Sequence, residues 1–281
     1  MDKFIELGED IAKLWSVYWE RYLIGAGNTL IVAVTATLVG CIIGLVCGIL
    51  NTIPYSKKDN PVKKFFLKLI RIIVRIYVEV FRGTPMVLQA VFIYYGIPYF
   101  SGGAVAFSGN SGIWMASLLV VSINTGAYMA ESVRGGIISI DPGQTEGAKA
   151  IGMTHVQTMT SIILPQAIRN IIPQIGNNFI INIKDTSVMF VIGFVELFAT
   201  HRNIVGLNNM YFQSATIEMA AYLCMTLIAS VILRFVEKKM DGDKDYELAI
   251  GINDYGLRDA EKSGRMRQAQ NNRNGSTRGE R

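Results

Sequence analysis

Charge is missing from two long parts of this chain, and the gaps set its architecture. Residues 22–56 contain no Asp, Glu, Lys or Arg, and residues 83–130 contain none either. A helix needs roughly 20 apolar residues to cross the hydrocarbon of a bilayer. The first gap therefore holds one crossing. The second holds two, parted by the turn-rich stretch from Ser101-Gly102-Gly103 to Gly109-Asn110-Ser111-Gly112. Two more apolar runs follow. The pattern predicts an all-α membrane protein with about five transmembrane helices, near residues 23–53, 85–100, 112–132, 171–198 and 217–236.

Both ends differ from this core. Phe4, Leu7, Ile11, Leu14, Trp15 and Tyr18 recur at helical spacing between Asp2, Glu6, Glu9, Asp10 and Glu20. With Trp19 and Tyr22 they suit an amphipathic helix lying at the interface, or a leader to the first span with aromatic anchors. A cleaved signal begins basic before it turns apolar, which this acidic start does not. Residues 241–281 are polar and rich in Asn, Gln, Gly, Ser and Arg, and from 261 onward the composition predicts disorder. The chain thus divides into an amphipathic segment (1–22), a transmembrane domain (23–240) and a polar tail (241–281).

Composition agrees: 51% of residues are hydrophobic and 17% charged, against about a quarter charged in soluble domains. The placement of basic residues gives orientation. Lys57, Lys58, Lys63, Lys64, Lys68, Arg71, Arg75 and Arg82 follow the first span; Arg134, Lys149 and Arg169 lie between the third and fourth; Arg234, Lys238 and Lys239 follow the fifth. The acidic N-terminus, the uncharged 101–112 loop and residues 200–216, with only Arg202, fall on the other side. The expectation is N-terminus outside, C-terminus cytoplasmic and a multi-pass protein of the cell (cytoplasmic) membrane. Cys41, Cys47 and Cys224 lie in apolar spans and read as packing residues. His155 and His201 are far apart in sequence. No nucleophile or metal-ligand spacing stands out, so no catalytic residue, metal or cofactor is expected.

Residues 146–165 form a compact amphipathic knob between apolar runs. Glu146-Gly147-Ala148 opens one helix, Gly152 permits a left-handed stop, and Ile162-Ile163-Leu164-Pro165 closes a second piece, with proline expected to end it. Asp141-Pro142-Gly143-Gln144 supplies a turn, Thr145 a cap with Glu146 near the positive helix end, and Thr154 a second cap. The apolar face of the second helix is Val156, Met159, Ile162 and Ile163. This spacing resembles the "EAA" loop of ATP-binding cassette (ABC) importer permeases, which inserts into a groove on the ATPase subunit.

Three more segments extend the likeness: Phe81-Arg82-Gly83-Thr84-Pro85, Ala127-Tyr128-Met129-Ala130-Glu131-Ser132-Val133-Arg134-Gly135-Gly136-Ile137 and Asn182-Ile183-Lys184-Asp185-Thr186-Ser187. Together with the knob they are similar to the polar amino acid branch of these importers, over about residues 25–239. The resemblance implies a permease subunit without its own motor, paired as a homodimer or heterodimer. Its partners would be two ATPase subunits, an extracellular solute-binding protein, an amino-acid substrate and membrane lipid, with no nucleic acid. The chain has no Walker sequence, so ATP hydrolysis is expected on a partner. The coupling residues would be Glu146, Gly147, Ala148, Gly152, Ile162, Leu164 and Pro165. The competing readings are an ABC permease for another small solute (methionine, an oxyanion) and a secondary carrier or channel.

Polar groups inside spans mark candidates for the substrate path. Asn124, Tyr128 and Glu131 fall on one face of the third span, and Asn178, Asn182 and Asp185 on one face of the fourth. They could meet both ends of a zwitterion. Equally, they could glue helices together, or pair Glu131 with Arg134. Gly40, Gly44 and Gly48 make a stripe that permits close helix packing, within the subunit or against a partner.

Overall fold

The computed structural model describes residues 2–54 and 60–241, and every regular element among them is helical. Residues 242–281, and with them nearly all of the expected polar tail, lie outside the described residues. Helix α1 spans Asp2–Thr52, 51 residues without a break, about 75 Å at 1.5 Å per residue. Helix α2 spans Pro61–Gly83, with Asn60 accepting the Val62 N–H at 2.9 Å as its cap. Thr84 and Pro85 are extended, and α3 covers Met86–Phe100 with a π-turn at Phe92–Gly96. Helix α4 is Gly109–Ile138 and α5 is Pro142–Ala150. Helix α6 runs from His155 to Ile192, through a π-turn at Met159–Ile163 and a 3₁₀ end at Thr186–Ile192. Helix α7 is Leu197–Asn208 and α8 is Tyr211–Asp241.

Three elements bear on the sequence expectation. First, of the two forms open to the amphipathic start, the chain takes the leader to the first span rather than a separate helix. It continues into the first span, because nothing near residue 22 breaks the helical pattern. Its apolar face packs on α7 and α8, where Leu14 and Tyr22 are buried with Leu197, Ile204 and Ile217. Second, Pro165 does not end a helix. It sits in the first turn after the π-turn, where the widened backbone accommodates a residue that has no N–H to offer. Third, the span expected at 171–198 breaks at Gly193, whose φ of 84° only glycine adopts readily. The chain then bends by 53° into α7, which occupies the stretch expected to be an outer loop.

Helices α1, α4 and α8 are each long and apolar enough to cross a membrane, and α6–α7 makes a fourth if the bent pair counts as one span. Helix α3 is a shorter apolar helix. The contacts fix relative directions. Gly40, Gly44 and Gly48 of α1 face Thr125, Met129 and Val133 of α4 in ascending order, so these two helices run parallel. Asn182 meets Thr125 and Asn178 meets Met129, so α6 runs antiparallel to α4. Gly176 lies against Leu233 of α8, and Ile183 packs with Ala229, so α8 runs antiparallel to α6.

The glycine stripe packs inside the subunit. A Cβ on Gly44 would lie 2.3 Å from the Met129 Cβ and 2.7 Å from the Met129 carbonyl carbon. Because backbone is involved, no rotamer change relieves it. Gly27, on the same helix, has nothing within 4 Å of its Cβ position. Gly44→Ala should therefore destabilise the protein by about 1–3 kcal/mol. Gly27→Ala should stabilise it slightly, by up to about 1 kcal/mol. Thermal unfolding in detergent should show opposite shifts; equal shifts would refute the packing account.

Candidate functional site

The α2–α3 elbow organises the first part of the site. Ending α2 at Gly83 leaves carbonyls without helical partners, and in a membrane such groups must be satisfied internally. Gln89, buried on α3, supplies the donors: its Nε2 lies 2.9 Å from the Phe81 carbonyl, the Thr84 carbonyl and the Thr84 Oγ1. Asn124 on α4 donates to the Phe81 carbonyl at 3.1 Å and to Gln89 Oε1 at 2.9 Å. The elbow is thereby tied to α4. Asn124, one of the polar candidates read from the third span, makes these bonds with its amide. Gln89 was missed, since a lone Gln in an apolar run carries no spacing signal.

A cavity of about 300 Å³ opens beside the elbow, lined by Thr84, Pro85 and Met86 and by groups from α4 and α6. Asn124, Tyr128, Asn178, Asn182 and Asp185 all line it. Five of the expected path residues, from two helices far apart in sequence, therefore converge. Their roles differ. Asn182 is a structural hub: its Nδ2 donates to Thr37 Oγ1 at 2.8 Å and Thr125 Oγ1 at 3.0 Å, joining α6 to α1 and α4. Asn178 spends its amide on the Gln174 carbonyl at 2.9 Å and the Met129 sulfur at 3.4 Å. Among the described residues lining the cavity, Asp185 is the only charged one, while neighbouring Lys184 is exposed.

Glu131 is not part of that cavity. It forms an ion pair with Arg134 one turn on and lines a separate cleft of about 1020 Å³ between α2, α4 and α5. The cleft wall is strongly charged, with Arg75, Arg82, Glu146 and Lys149 also on it. Arg82 lines the cleft and Tyr128 the cavity, with the guanidinium carbon 5.4 Å from the ring centre.

The knob takes the expected two-helix form with one change of cap. Asp141, not Thr145, caps α5 by accepting the Gly143 N–H at 2.8 Å, with Pro142 in the first turn. Glu146 consequently lies mid-helix. Gly152 closes α5 with φ of 82°, and the Met153 and Gly152 N–H groups return to the Ala148 and Lys149 carbonyls at 3.0 Å, a Schellman arrangement. Thr154 and Gln157 then form a reciprocal capping box. Ala148 and Ile163 are buried; Met159, Ile162 and Leu164 pack on the cluster of Met129, Val133 and Ala167. Glu146, Gly147, Gly152 and Pro165 are exposed, and Ile151 and Val156 stand out at the tip with 78% and 67% of their surface open.

The sequence profile of binding-protein-dependent transport system inner membrane components matches residues 63–242. The chain belongs to this family. The glutamine transport system permease protein GlnP of Escherichia coli (strain K12) is 34% identical over 230 residues, 80% of this chain and 97% of that protein. The probable amino-acid permease protein YxeN of Bacillus subtilis (strain 168) is 32% identical over 225 residues, 80% of this chain and 96% of that one. Among solved structures, an amino acid ABC transporter with histidines matches at a TM-score of 0.68 and 33% identity, over 80% of this chain and 96% of that chain. The inward-facing MetNI methionine ABC transporter shares the fold at a TM-score of 0.58 and 17% identity, over 80% and 96% of the two chains. The protein is thus a multi-pass permease component of the cell membrane.

At the far end of α6 the permease holds a buried polar network that its sequence did not announce. Glu196 is fully buried at the N-terminus of α7. It accepts the Phe198 and Ala199 N–H groups at 2.9 and 2.8 Å and the Tyr222 hydroxyl of α8 at 2.8 Å. Thr29 of α1 lies 3.4 Å from the same carboxylate. Nearby, Ser214 joins Tyr22 at 2.6 Å and His201 at 2.9 Å, and His201 lies 3.7 Å from Glu218. The signal that could have found Glu196 was an acidic residue in an apolar run just after a glycine. No group of three or more potential metal-binding side chains occurs among the described residues. Glu196→Ala removes a helix cap and leaves the Tyr222 hydroxyl without its acceptor. It should cost about 2 kcal/mol or more, with Glu196→Gln milder. Thermal unfolding measures this; an unchanged midpoint for the alanine variant would contradict it.

Proposed function

We propose that this permease moves polar amino acids inward through the cavity beside the α2–α3 elbow, powered by an ATPase docked on residues 146–165. One observation carries the reading: polar groups from α4 and α6 meet around a space with a single carboxylate, Asp185, among its described walls. That carboxylate suits a substrate ammonium, and amides and hydroxyls suit the rest of a polar amino acid. The printed names of the relatives, a glutamine permease and an amino-acid permease, support the same substrate class. The methionine transporter is similar in fold alone.

The helix directions support five crossings. Helices α1 and α4 run parallel, so α2 and α3 together return the chain across the membrane, while α4, α6 and α8 alternate. With basic residues after the first, third and fifth crossings, the N-terminus lies outside and the knob faces the cytoplasm. There, the exposed Ile151 and Val156 on a tightly capped loop offer an ATPase a stiff apolar tip. Glu146, Gly147, Ala148, Gly152, Ile162, Leu164 and Pro165 shape and anchor it. A second permease subunit and an extracellular solute-binding protein complete the assembly, and ATP is hydrolysed on the partner.

Reconstitution with a cassette ATPase and a binding protein in ATP-loaded vesicles tests both halves. Asp185→Asn should lower uptake of labelled L-glutamine or L-histidine by roughly tenfold or more, the scale of one lost charge-assisted contact. Unchanged uptake and unchanged competition by other amino acids would remove Asp185 from the path. Ile151→Glu with Val156→Glu should abolish capture of the ATPase while leaving thermal stability intact; full capture would overturn the docking assignment.

A further inference from the structure

We propose that Arg82 and Tyr128 form the inner gate of this permease, the movable contact that separates the membrane cavity from the charged cleft. The proposal rests on the cavity being the transport path. Tyr128 lines the cavity, and Arg82 lines the cleft. The guanidinium carbon lies 5.4 Å from the centre of the phenol ring, so one contact links a residue of the cavity wall to a residue of the cleft wall. An amino acid leaving the cavity toward the cleft passes them.

The surroundings suit a gate rather than a fixed brace. The backbone beside Arg82 is immobilised: Gln89 and Asn124 hold the carbonyls of Phe81 and Thr84. The side chains are not. Arg82 is exposed and Tyr128 keeps 40% of its surface open. A cation–π contact of this kind biases an equilibrium by between about two-fold and thirty-fold, enough to hold a path closed at rest and weak enough to be broken. The open state has a place for the freed guanidinium. Glu131 lines the same cleft, and its pairing with Arg134 leaves lone pairs that can accept a second donor. A departing substrate carboxylate offers the same chemistry. Arg82 would then leave the ring for a carboxylate, opening the partition as the solute enters the cleft.

Accessibility of the cavity tests this without transport. In a background with Cys41, Cys47 and Cys224 replaced by serine, Ile181→Cys places a thiol on the cavity wall. Inside-out vesicles holding the assembled transporter are treated with a charged, membrane-impermeant methanethiosulfonate reagent from the cytoplasmic face. The parent should label slowly. Arg82→Ala and Tyr128→Leu should each label roughly tenfold faster. Tyr128→Phe keeps the ring and should match the parent, and Arg82→Lys keeps the cation and should fall near it. Should Arg82→Ala fail to fold, the Tyr128→Phe and Tyr128→Leu comparison decides alone. Parent-like labelling in Tyr128→Leu, or labelling of Tyr128→Phe as fast as Tyr128→Leu, would overturn the gate. The readout needs neither ATP nor solute. Its failure leaves the importer reading standing, and loss of ATPase capture leaves the gate standing.

Discussion

The backbones of α1 and α4 touch along Gly40, Gly44 and Gly48, and the remaining helices are placed by that contact. Lipid tails are as apolar as leucine, so helices in a membrane gain little by hiding apolar surface from each other. They gain by close packing and by satisfying polar groups. The glycine stripe serves the first need. It meets Thr125, Met129 and Val133 at the same four-residue interval, so the match lasts for two turns instead of a single point. It also sets the second. Thr125, which closes over Gly40, carries the hydroxyl that Asn182 binds, and Thr37 beside it on α1 supplies the other. Asn182 can bridge three helices only because the first two stand so close. Asn178 and Asp185 follow it onto the cavity wall by helical spacing.

The elbow at Gly83-Thr84-Pro85 meets the same constraint in another way. A chain that stops being helical inside or near hydrocarbon exposes carbonyls that water cannot reach. The permease answers with Gln89 and Asn124, two amides that saturate Phe81 and Thr84 from neighbouring helices. An irregular backbone lining a cavity is tolerated where its polar groups are satisfied by the protein. Here, satisfying them also fixes the polar wall of the cavity. Helix end, side-chain amides and cavity wall are one structural solution.

What the sequence revealed follows from which signals are local. The absence of charge located the apolar cores of α1 and α4, and a further apolar run that of α8. Asp-Pro at 141–142, Gly152 and Thr154 located the knob, because turns and caps depend on a few adjacent residues. Five of six intramembrane polar candidates reached one cavity, since helical spacing alone places Asn178, Asn182 and Asp185 on a common face. Glu131 went elsewhere because its partner, Arg134, lies one turn away and holds it in the cleft. The continuity of helices was harder to read. Pro165 looked like a stop, yet a π-turn just before it absorbs the proline. The second crossing was expected at residues 85–100, where the structure has the short apolar α3, preceded by the amphipathic and basic α2. Gln89 and Glu196 act through partners remote in sequence, which no single-chain pattern exposes.

The course of α6 joins the second piece of the knob to the cavity wall. From the capped start at Thr154 the helix passes through Pro165 to Asn178, Asn182 and Asp185 without a loop. The π-turn at Met159–Ile163 and Pro173 alter its α-helical hydrogen-bond ladder along the way, and such features are where helices bend. The helix ends at Gly193, in left-handed geometry. Beyond that point Glu196 ties α7 to α8 through Tyr222, with Thr29 of α1 alongside. The knob, the cavity wall and the buried Glu196 network thus lie in that order along one stretch of chain.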